Sequence, residues 1–412
     1  MWEQIRSNQR RSFLLVALMA TVLFTAGYFI AEAFVPRAGL VGLLIAGGLW
    51  LCLLLVSYYQ GDNIFLSIAG ARKIDHDDLP VLHNVVEEMT IASGLAKMPQ
   101  VYIIDDPTPN AFATGRTPDR AAVAVTSGLL QMCNRDELQG VVAHEMGHIK
   151  NRDTLLMLMA GVMAGAIVIL SDIGLRGMWL TGGGRSRSRR SSGGGGQAQV
   201  IIMLVALAMM ILAPIVAYLI YFAISRRREY LADASSARFT RYPEGLASAL
   251  EKMGSSPRKL ARATRATAPL YIVNPLEAHG ARQASSLMST HPPIPDRVRV
   301  LRSMGGASFA QYQEAFSGVH GRSVMPASSL KGDEAVAKRE ASREEGARQR
   351  ARQVGDFFYK LTRYLFLACS CGTVLKLPPD FKGTQIKCPH CGLDHAVAEF
   401  TSQAPARSTE EK

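Results

Sequence analysis

Apolar residues along the chain gather into four long runs, at 13–31, 40–59, 155–173 and 200–224. Each is close to or longer than the about 20 helical residues that a hydrocarbon core demands, so each is a candidate membrane span. The first run is followed within ten residues by the second and lacks a convincing small-residue cleavage site, so it reads as an anchor and not as a signal peptide. The third is rich in Ala and Gly and runs onto Asp172. A buried or re-entrant helix is therefore its alternative. Between the second and third runs the period changes. After Pro80, Leu82, Val85, Val86 and Met89 share one face and Gly94 closes it, which predicts a helix. The segments 101–104 and 121–126 predict short strands, and 110–115 between them predicts an edge strand or loop. Asn134 followed three residues later by Glu137 is a capping-box pattern and predicts a helix over 135–150. Past the fourth run, 229–253 reads as helix and 305–328 has no clear period. Residues 330–353 alternate Lys, Arg, Glu and Ala without an apolar stripe, which predicts a solvated helix or disordered linker.

The formal charge of the 412-residue chain, +12, does not call for nucleic acid as a partner. Arg6, Arg10, Arg11, Arg72, Lys73 and Arg226 to Arg228 all flank apolar runs, where basic residues set topology. Only Arg37 follows the first run, so the bias puts the N-terminus and 60–153 in the cytoplasm. The Gly/Ser/Arg loop at 182–196 opposes that bias and reads as a flexible connector.

His144-Glu145-Met146-Gly147-His148 falls on the predicted 135–150 helix. Spacing of i and i+4 sets both imidazoles on one face within reach of one zinc ion, with Glu145 beside them to activate the attacking water. A hydrolytic zinc needs a third protein ligand and an open position. Glu229 is the candidate, and Asp233, one turn on, could accept the N–H of a ligand histidine. On spacing alone, both could equally neutralise the arginines before them. An even number of membrane crossings between His148 and Glu229 leaves the two motifs on one side. His291-Pro292-Pro293 is a rigid segment that could hold an oxyanion donor, with Arg297 in support, or could simply be a turn.

Together, HExxH with its Asn-Arg-Asp tail, Glu229-Tyr-Leu-Ala-Asp233 after an arginine run, Asn110-Ala-Phe-Ala-Thr-Gly115 upstream and Ser289-Thr-His-Pro-Pro-Ile-Pro-Asp-Arg297 downstream resemble the M48 family of zinc peptidases, and within it the HtpX-type membrane proteases. The resemblance covers 1–305. It implies a zincin-type site with His144, His148 and Glu229 on the metal, Glu145 as general base, Asp233 behind a ligand, and His291 and Arg297 stabilising the transition state. Asn110, Ala111 and Phe112 would lie beside the substrate backbone as an added strand. It further implies a multi-pass protein of the cytoplasmic (inner) membrane whose site faces the cytoplasm, and whose protein or peptide substrates are damaged or misfolded membrane proteins.

The tail departs from that pattern. Cys369-Ser-Cys371-Gly372 and Cys388-Pro-His-Cys391-Gly392 have zinc-ribbon spacing with a shortened first knuckle, and strands are expected over 374–377 and 384–387. All four cysteines would close a second, structural zinc. His390 fits as a knuckle residue, and His395 is a weak substitute ligand. The expected architecture is a mainly α integral-membrane protein of about four transmembrane helices with an α+β catalytic domain and a small β zinc ribbon. Its parts are a transmembrane hairpin at 1–60, catalytic regions at 61–153 and 225–325 around a second transmembrane pair at 154–224, a charged linker at 326–360, the ribbon at 361–400 and a disordered tail at 401–412. Two rival functions are a prenyl-peptide processing protease, which would normally show more spans, and a non-enzymatic membrane adaptor with structural zinc, in which Glu145 would be dispensable.

Overall fold

The structure, a computed structural model, describes residues 2–182, 196–263, 268–274, 291–342, 347–362 and 364–397. Most of the expected Gly/Ser/Arg connector, Ser289 and Thr290, and the 401–412 tail lie outside these residues. The chain divides into two compact units, Met1–Glu345 and Gly346–Lys412. Along the first run α1 (Trp2–Phe34), α2 (Gly39–Ile68), β1 (Arg72–Lys73), α3 (Pro80–Ser93), β2 (Gln100–Ile104), β3 (Ala111–Thr114), β4 (Ala122–Thr126), α4 (Ser127–Met132) and α5 (Arg135–Lys150). They are followed by α6 (Asp153–Gly182), α7 (Gly196–Thr240), α8 (Pro243–Ser255), α9 (Ile294–Ser303) and α10 (Phe309–His320). The second unit holds α11 (Ala347–Leu361), β5 (Leu365–Ala368), β6 (Val374–Leu377), β7 (Gln385–Lys387) and β8 (Asp394–Ala396).

Among the described residues, four helices are long and apolar enough to cross a membrane: α1, α2, α6 and α7. The third apolar run, with its buried or re-entrant alternative, lies in one of them, a 30-residue helix. Met19, Leu23, Met163, Ile167, Met210 and Ala217 fill the core between α1, α6 and α7. A Cβ on Gly27 would come 2.7 Å from that of Ala46, so α1 and α2 meet almost backbone to backbone. That is the small-residue contact membrane helices use in place of a hydrophobic drive. Leu40, Leu44, Ile45 and Leu55 on α2 remain exposed, as lipid-facing residues should.

The catalytic half rests on a four-stranded sheet in the order β1-β2-β4-β3, with β2 and β4 parallel and β3 antiparallel to β4 at the edge. Helix α5 begins where the capping box predicts, the Asn134 side chain accepting from the Glu137 N–H and Glu137 from that of Asn134. Two glycines let α5 approach its neighbours closely. A Cβ on Gly147 would lie 2.9 Å from that of Ser235 on α7, and one on Gly140 would run into the backbone of Gly245 and Leu246.

Two features differ from expectation. The fourth apolar run and the segment from Glu229 form one continuous helix, α7, broken only at Arg241, whose φ of 55° is left-handed. No glycine or proline interrupts the chain between Ile224 and Glu229, so the membrane helix simply continues. Second, 331–342, expected within a charged linker, runs extended along the catalytic unit. Arg339 donates to Asp136 Oδ1 (2.7 Å) and Gln139 Oε1 (2.9 Å) on the first turns of α5, and Ser342 donates its N–H to Asp136 Oδ2 (2.7 Å). Two of its charges are docked in ion pairs, Arg339 with Asp136 and Asp333 with Arg238, which tie the segment to the catalytic unit without an apolar stripe.

In the second unit β5 pairs with β6 and β7 with β8. Gly372 (φ 82°) and Gly392 (φ 76°) turn the two cysteine knuckles in the left-handed region that other residues avoid. The four thiol sulfurs lie within 4.8 Å of one another, and Leu367, Leu375 and Leu377 pack beneath them.

Candidate active site

The site is built where α5 crosses α7. One face of α5 carries His144, fully buried, and His148, half-buried, with Nε2 atoms 3.2 Å apart. From α7, Glu229 places Oε1 at 3.4 Å from His148 Nε2 and Oε2 at 3.6 Å from His144 Nε2. The three donor groups lie within 4.8 Å of one another. The close α5–α7 approach at Gly147 is what brings residues so distant in sequence together.

Each imidazole is held from behind. His144 Nδ1 lies 3.0 Å from Asp233 Oδ1, and His148 Nδ1 lies 3.3 Å from Asp153 Oδ2. Ionised carboxylates only accept, so each Nδ1 carries the hydrogen and each Nε2 is left as the donor for a metal. Each Asp is itself clamped by a buried arginine. Arg297 donates from Nη2 to Asp233 Oδ1 (2.6 Å) and from Nε to Oδ2 (2.9 Å). Arg228 Nη1 lies 3.6 Å from Asp153 Oδ1 and donates to the Asp153 carbonyl at 3.2 Å. Two parallel relays result, His144–Asp233–Arg297 and His148–Asp153–Arg228.

The electrostatics suit a dication. Burial would favour a neutral His148, but its bonds to Asp153 and Glu229 outweigh burial and push its pKa up to about 10. Burial would raise the carboxyl of Glu229, yet His291, His144 and His148 hold it well below the ordinary range. Asp233 is likewise held down, burial being overcome by Arg297. A cavity that keeps two carboxylates ionised around two imidazoles attracts positive charge, and two imidazoles with one carboxylate are the donor set of a hydrolytic zinc. The residues therefore fit zinc. Glu145 differs: burial raises its pKa, with His144 and His148 drawing it back only in part, and its carboxylate accepts the Ala113 N–H.

The candidate residues from the sequence are thus brought together, with some rearranged. Glu229 and Asp233 face the histidines. Arg297 is fully buried against Asp233 and, at 3.3 Å, against Glu229 Oε2, and His291 Nδ1 lies 3.1 Å from the same oxygen. At the start of β3 the outward groups of Ala111 and of Asn110 just before it are already engaged: Ile272 N–H donates to the Ala111 carbonyl (3.1 Å), and the Asn110 side-chain amide bonds both backbone groups of Val273. Phe112 stacks edge-on against Tyr271 at 5.1 Å. The residue of β3 that lines the cleft is Ala113. Sequence reading missed Asp153 and Arg228. Asp153 follows a left-handed Arg152 (φ 57°) that turns the chain back toward His148, whereas nothing local separates buried Arg228 from its neighbours Arg226 and Arg227.

Replacing Asp153 by Asn should weaken zinc binding by roughly 10–100-fold, the usual cost of losing an outer partner of a ligand histidine. Competition against a chromophoric chelator measures this, and an unchanged affinity would remove Asp153 from the site.

Comparison with known proteins agrees with this geometry. The model of peptidase family M48 matches residues 78–305. A "Protease HtpX homolog" of Caldanaerobacter subterraneus is 43% identical over 304 residues, covering 74% of this chain and 98% of its own. Those of Dictyoglomus turgidum (45% over 307 residues, 74% and 95%) and Streptococcus uberis (41% over 308 residues, 74% and 100%) match similarly. The solved structure of S. mikatae Ste24p aligns over 73% of this chain and 67% of its own with a TM-score of 0.40 and 15% identity, too remote to bear on the site. A family match that spans the HExxH helix, Glu229 and His291, with relatives this similar over nearly their whole length, places the chain in peptidase family M48 as a membrane zinc metallopeptidase.

Proposed function

We propose that this membrane enzyme hydrolyses internal peptide bonds of misfolded or damaged membrane proteins from the cytoplasmic side of an inner membrane. The observation that carries the peptidase reading is the His144–His148–Glu229 cluster with Glu145 beside it at the edge of the sheet. A bound zinc supplies Lewis acidity at the scissile carbonyl and at the attacking water. Everything else belongs to the protein. Asp233 and Asp153 hold the two ligand imidazoles in the right tautomer. Glu145 takes the proton of the attacking water and passes it to the leaving amine, and no covalent intermediate is needed. Arg297 acts from beside Glu229, where its positive charge favours the ionised ligand, and His291 sits against the same carboxylate oxygen. The substrate backbone pairs alongside the edge strand β3, next to Glu145. Orientation rests on Arg6, Arg10 and Arg11, which precede the first apolar run within α1.

Detergent-purified protein should cleave an unfolded polypeptide and lose that activity to a chelator. A protein that binds zinc but never cuts would instead be the adaptor. Among the described residues four helices are long and apolar enough to cross a membrane, fewer than a prenyl-peptide processing protease would normally show, which favours general proteolysis.

The four-cysteine group is proposed as a second, structural zinc site; His390 and His395 lie outside it. Metal analysis should find about two zinc per chain, one of which is lost when Cys388 and Cys391 are both replaced by Ser, with cleavage chemistry at the first site intact. A constant single zinc would refute the ribbon site.

A further inference from the structure

The edge of β3 next to the metal cluster is occupied by the chain's own groups. The Ala111 carbonyl accepts from Ile272, the Ala113 N–H is held by Glu145, and the Gly115 carbonyl accepts from Thr154 Oγ1 at 2.7 Å. The cleft beside Glu145 is equally closed, with about 20 Å³ open to the centre of a water molecule, room for about one water and none for a peptide. For a substrate backbone to pair alongside β3, something must give way. Glu145 belongs to α5, which Gly140 and Gly147 seat tightly on α8 and α7, and Thr154 opens α6, a 30-residue helix of the membrane bundle. Ile272 belongs to a much smaller piece, one 3₁₀ turn at Ala268–Leu270 and the bent residues after it.

That piece takes the bonding groups that an added strand would need. Ile272 donates its N–H to the Ala111 carbonyl (3.1 Å), and the Asn110 side chain donates to the Val273 carbonyl (2.8 Å) and accepts from its N–H (3.3 Å). The Ile272 carbonyl accepts from Arg297 Nη1 at 3.3 Å, and the same nitrogen lies 3.3 Å from Glu229 Oε2. Ile272 is therefore one guanidinium away from a metal ligand. Leu270, two residues earlier, lines the cleft, so departure of the piece would free Ala111 and open the cleft wall in one movement. A polypeptide arriving at the edge remakes the main-chain bonds that are lost. What holds the site shut is the burial of Tyr271, Ile272 and Val273.

We infer that 270–273 is a built-in plug: it occupies the edge of β3 beside the metal cluster, and a polypeptide reaches Glu145 only by displacing it. The enzyme as folded is self-restrained, and its apparent affinity for substrate is reduced by the fraction of molecules in which the plug is out. Opening asks only a short segment to leave, while the sheet and the bundle stay in place. A folded protein offers no extended backbone to compete for Ala111 and Asn110, whereas an unfolded one does, so the plug selects for unfolded chains. This deepens the peptidase reading above and rests on it.

Kinetics and hydrogen exchange on the full-length protein in detergent, with casein as the unfolded substrate, test the plug. Ile272→Ala keeps the N–H but removes a buried side chain that holds the segment down. It should lower KM by about 10-fold or more, with kcat and zinc content near wild type, because a larger fraction of molecules is open. In Glu145→Gln, which holds casein without cutting it, exchange over 268–274 should speed up when casein binds, while exchange over 111–114 stays slow. A KM that is unchanged or raised in Ile272→Ala at wild-type zinc content, or exchange over 268–274 that bound casein leaves as it was, overturns the plug while the peptidase stands. If Ile272→Ala loses its zinc, the exchange result alone decides. Wild type and Ile272→Ala that both hold zinc and both leave casein uncut overturn the peptidase reading and the plug with it.

Discussion

Glu145→Gln should keep its zinc at the wild-type level and lower the cleavage rate by about 10²–10⁴-fold, the range a positioned general base contributes. The substitution is nearly isosteric. Gln keeps an oxygen for the Ala113 N–H, and it leaves His144, His148 and Glu229 with their second-layer partners. What it removes is the group that can take a proton. Because burial raises the pKa of Glu145, the carboxylate is a stronger base than a solvated one, and its loss should be felt across the neutral range. Zinc analysis and initial rates on the same preparation decide the matter: wild-type cutting by the variant would sink Glu145 as the base, and loss of the metal would mean that it serves the ligand shell instead.

The second large effect is expected from Arg297→Ala. Asp233 and Arg297 are both fully buried, and removing one member of a buried pair leaves an uncompensated charge that costs about 3–5 kcal/mol. The freed Asp233 would also lose its grip on the His144 tautomer, so zinc affinity should fall by roughly 10–100-fold. Arg297→Lys should recover only part, since an ammonium cannot reproduce the two-pronged contact with Asp233. Unfolding midpoints in detergent and zinc competition measure both effects. If Arg297 acted on the transition state alone, as the sequence suggested, the Ala variant would fold and bind zinc as wild type does and lose only turnover.

Those two roles were unequally visible beforehand. Glu145 is read directly from its place between His144 and His148 on a helix whose start is marked by Asn134 and Glu137. Arg297 is not, because an arginine in a proline-braced segment says nothing about which carboxylate it will meet. Its pairing with Asp233 depends on α9 returning to α7 across a long interval of chain. The same holds for Arg228, which reads as one of three membrane-flanking charges until the fold buries it against Asp153. The edge strand lies between these cases. Position 110–115 was legible as an edge, but the occupation of Asn110 and Ala111 by Val273 and Ile272 is a contact between segments more than 160 residues apart.

By itself the sequence determined what is written locally. Hydrophobic runs of membrane length, a capping box, i and i+4 histidines on one helical face and two glycine-turned cysteine knuckles each depend on neighbours within a turn or two, and each appears where its pattern puts it. Only the tertiary structure decided which residues share the metal's surroundings. It ran the fourth membrane helix on as α7 to carry Glu229 and Asp233, let Gly147 bring α5 against it, assigned Asp153 and Asp233 to separate histidines, and docked the charged strap on Asp136. Each of these is a match of shape and charge between distant segments. Burial makes such a match obligatory once the chain is folded, because a charge without its partner cannot stay inside.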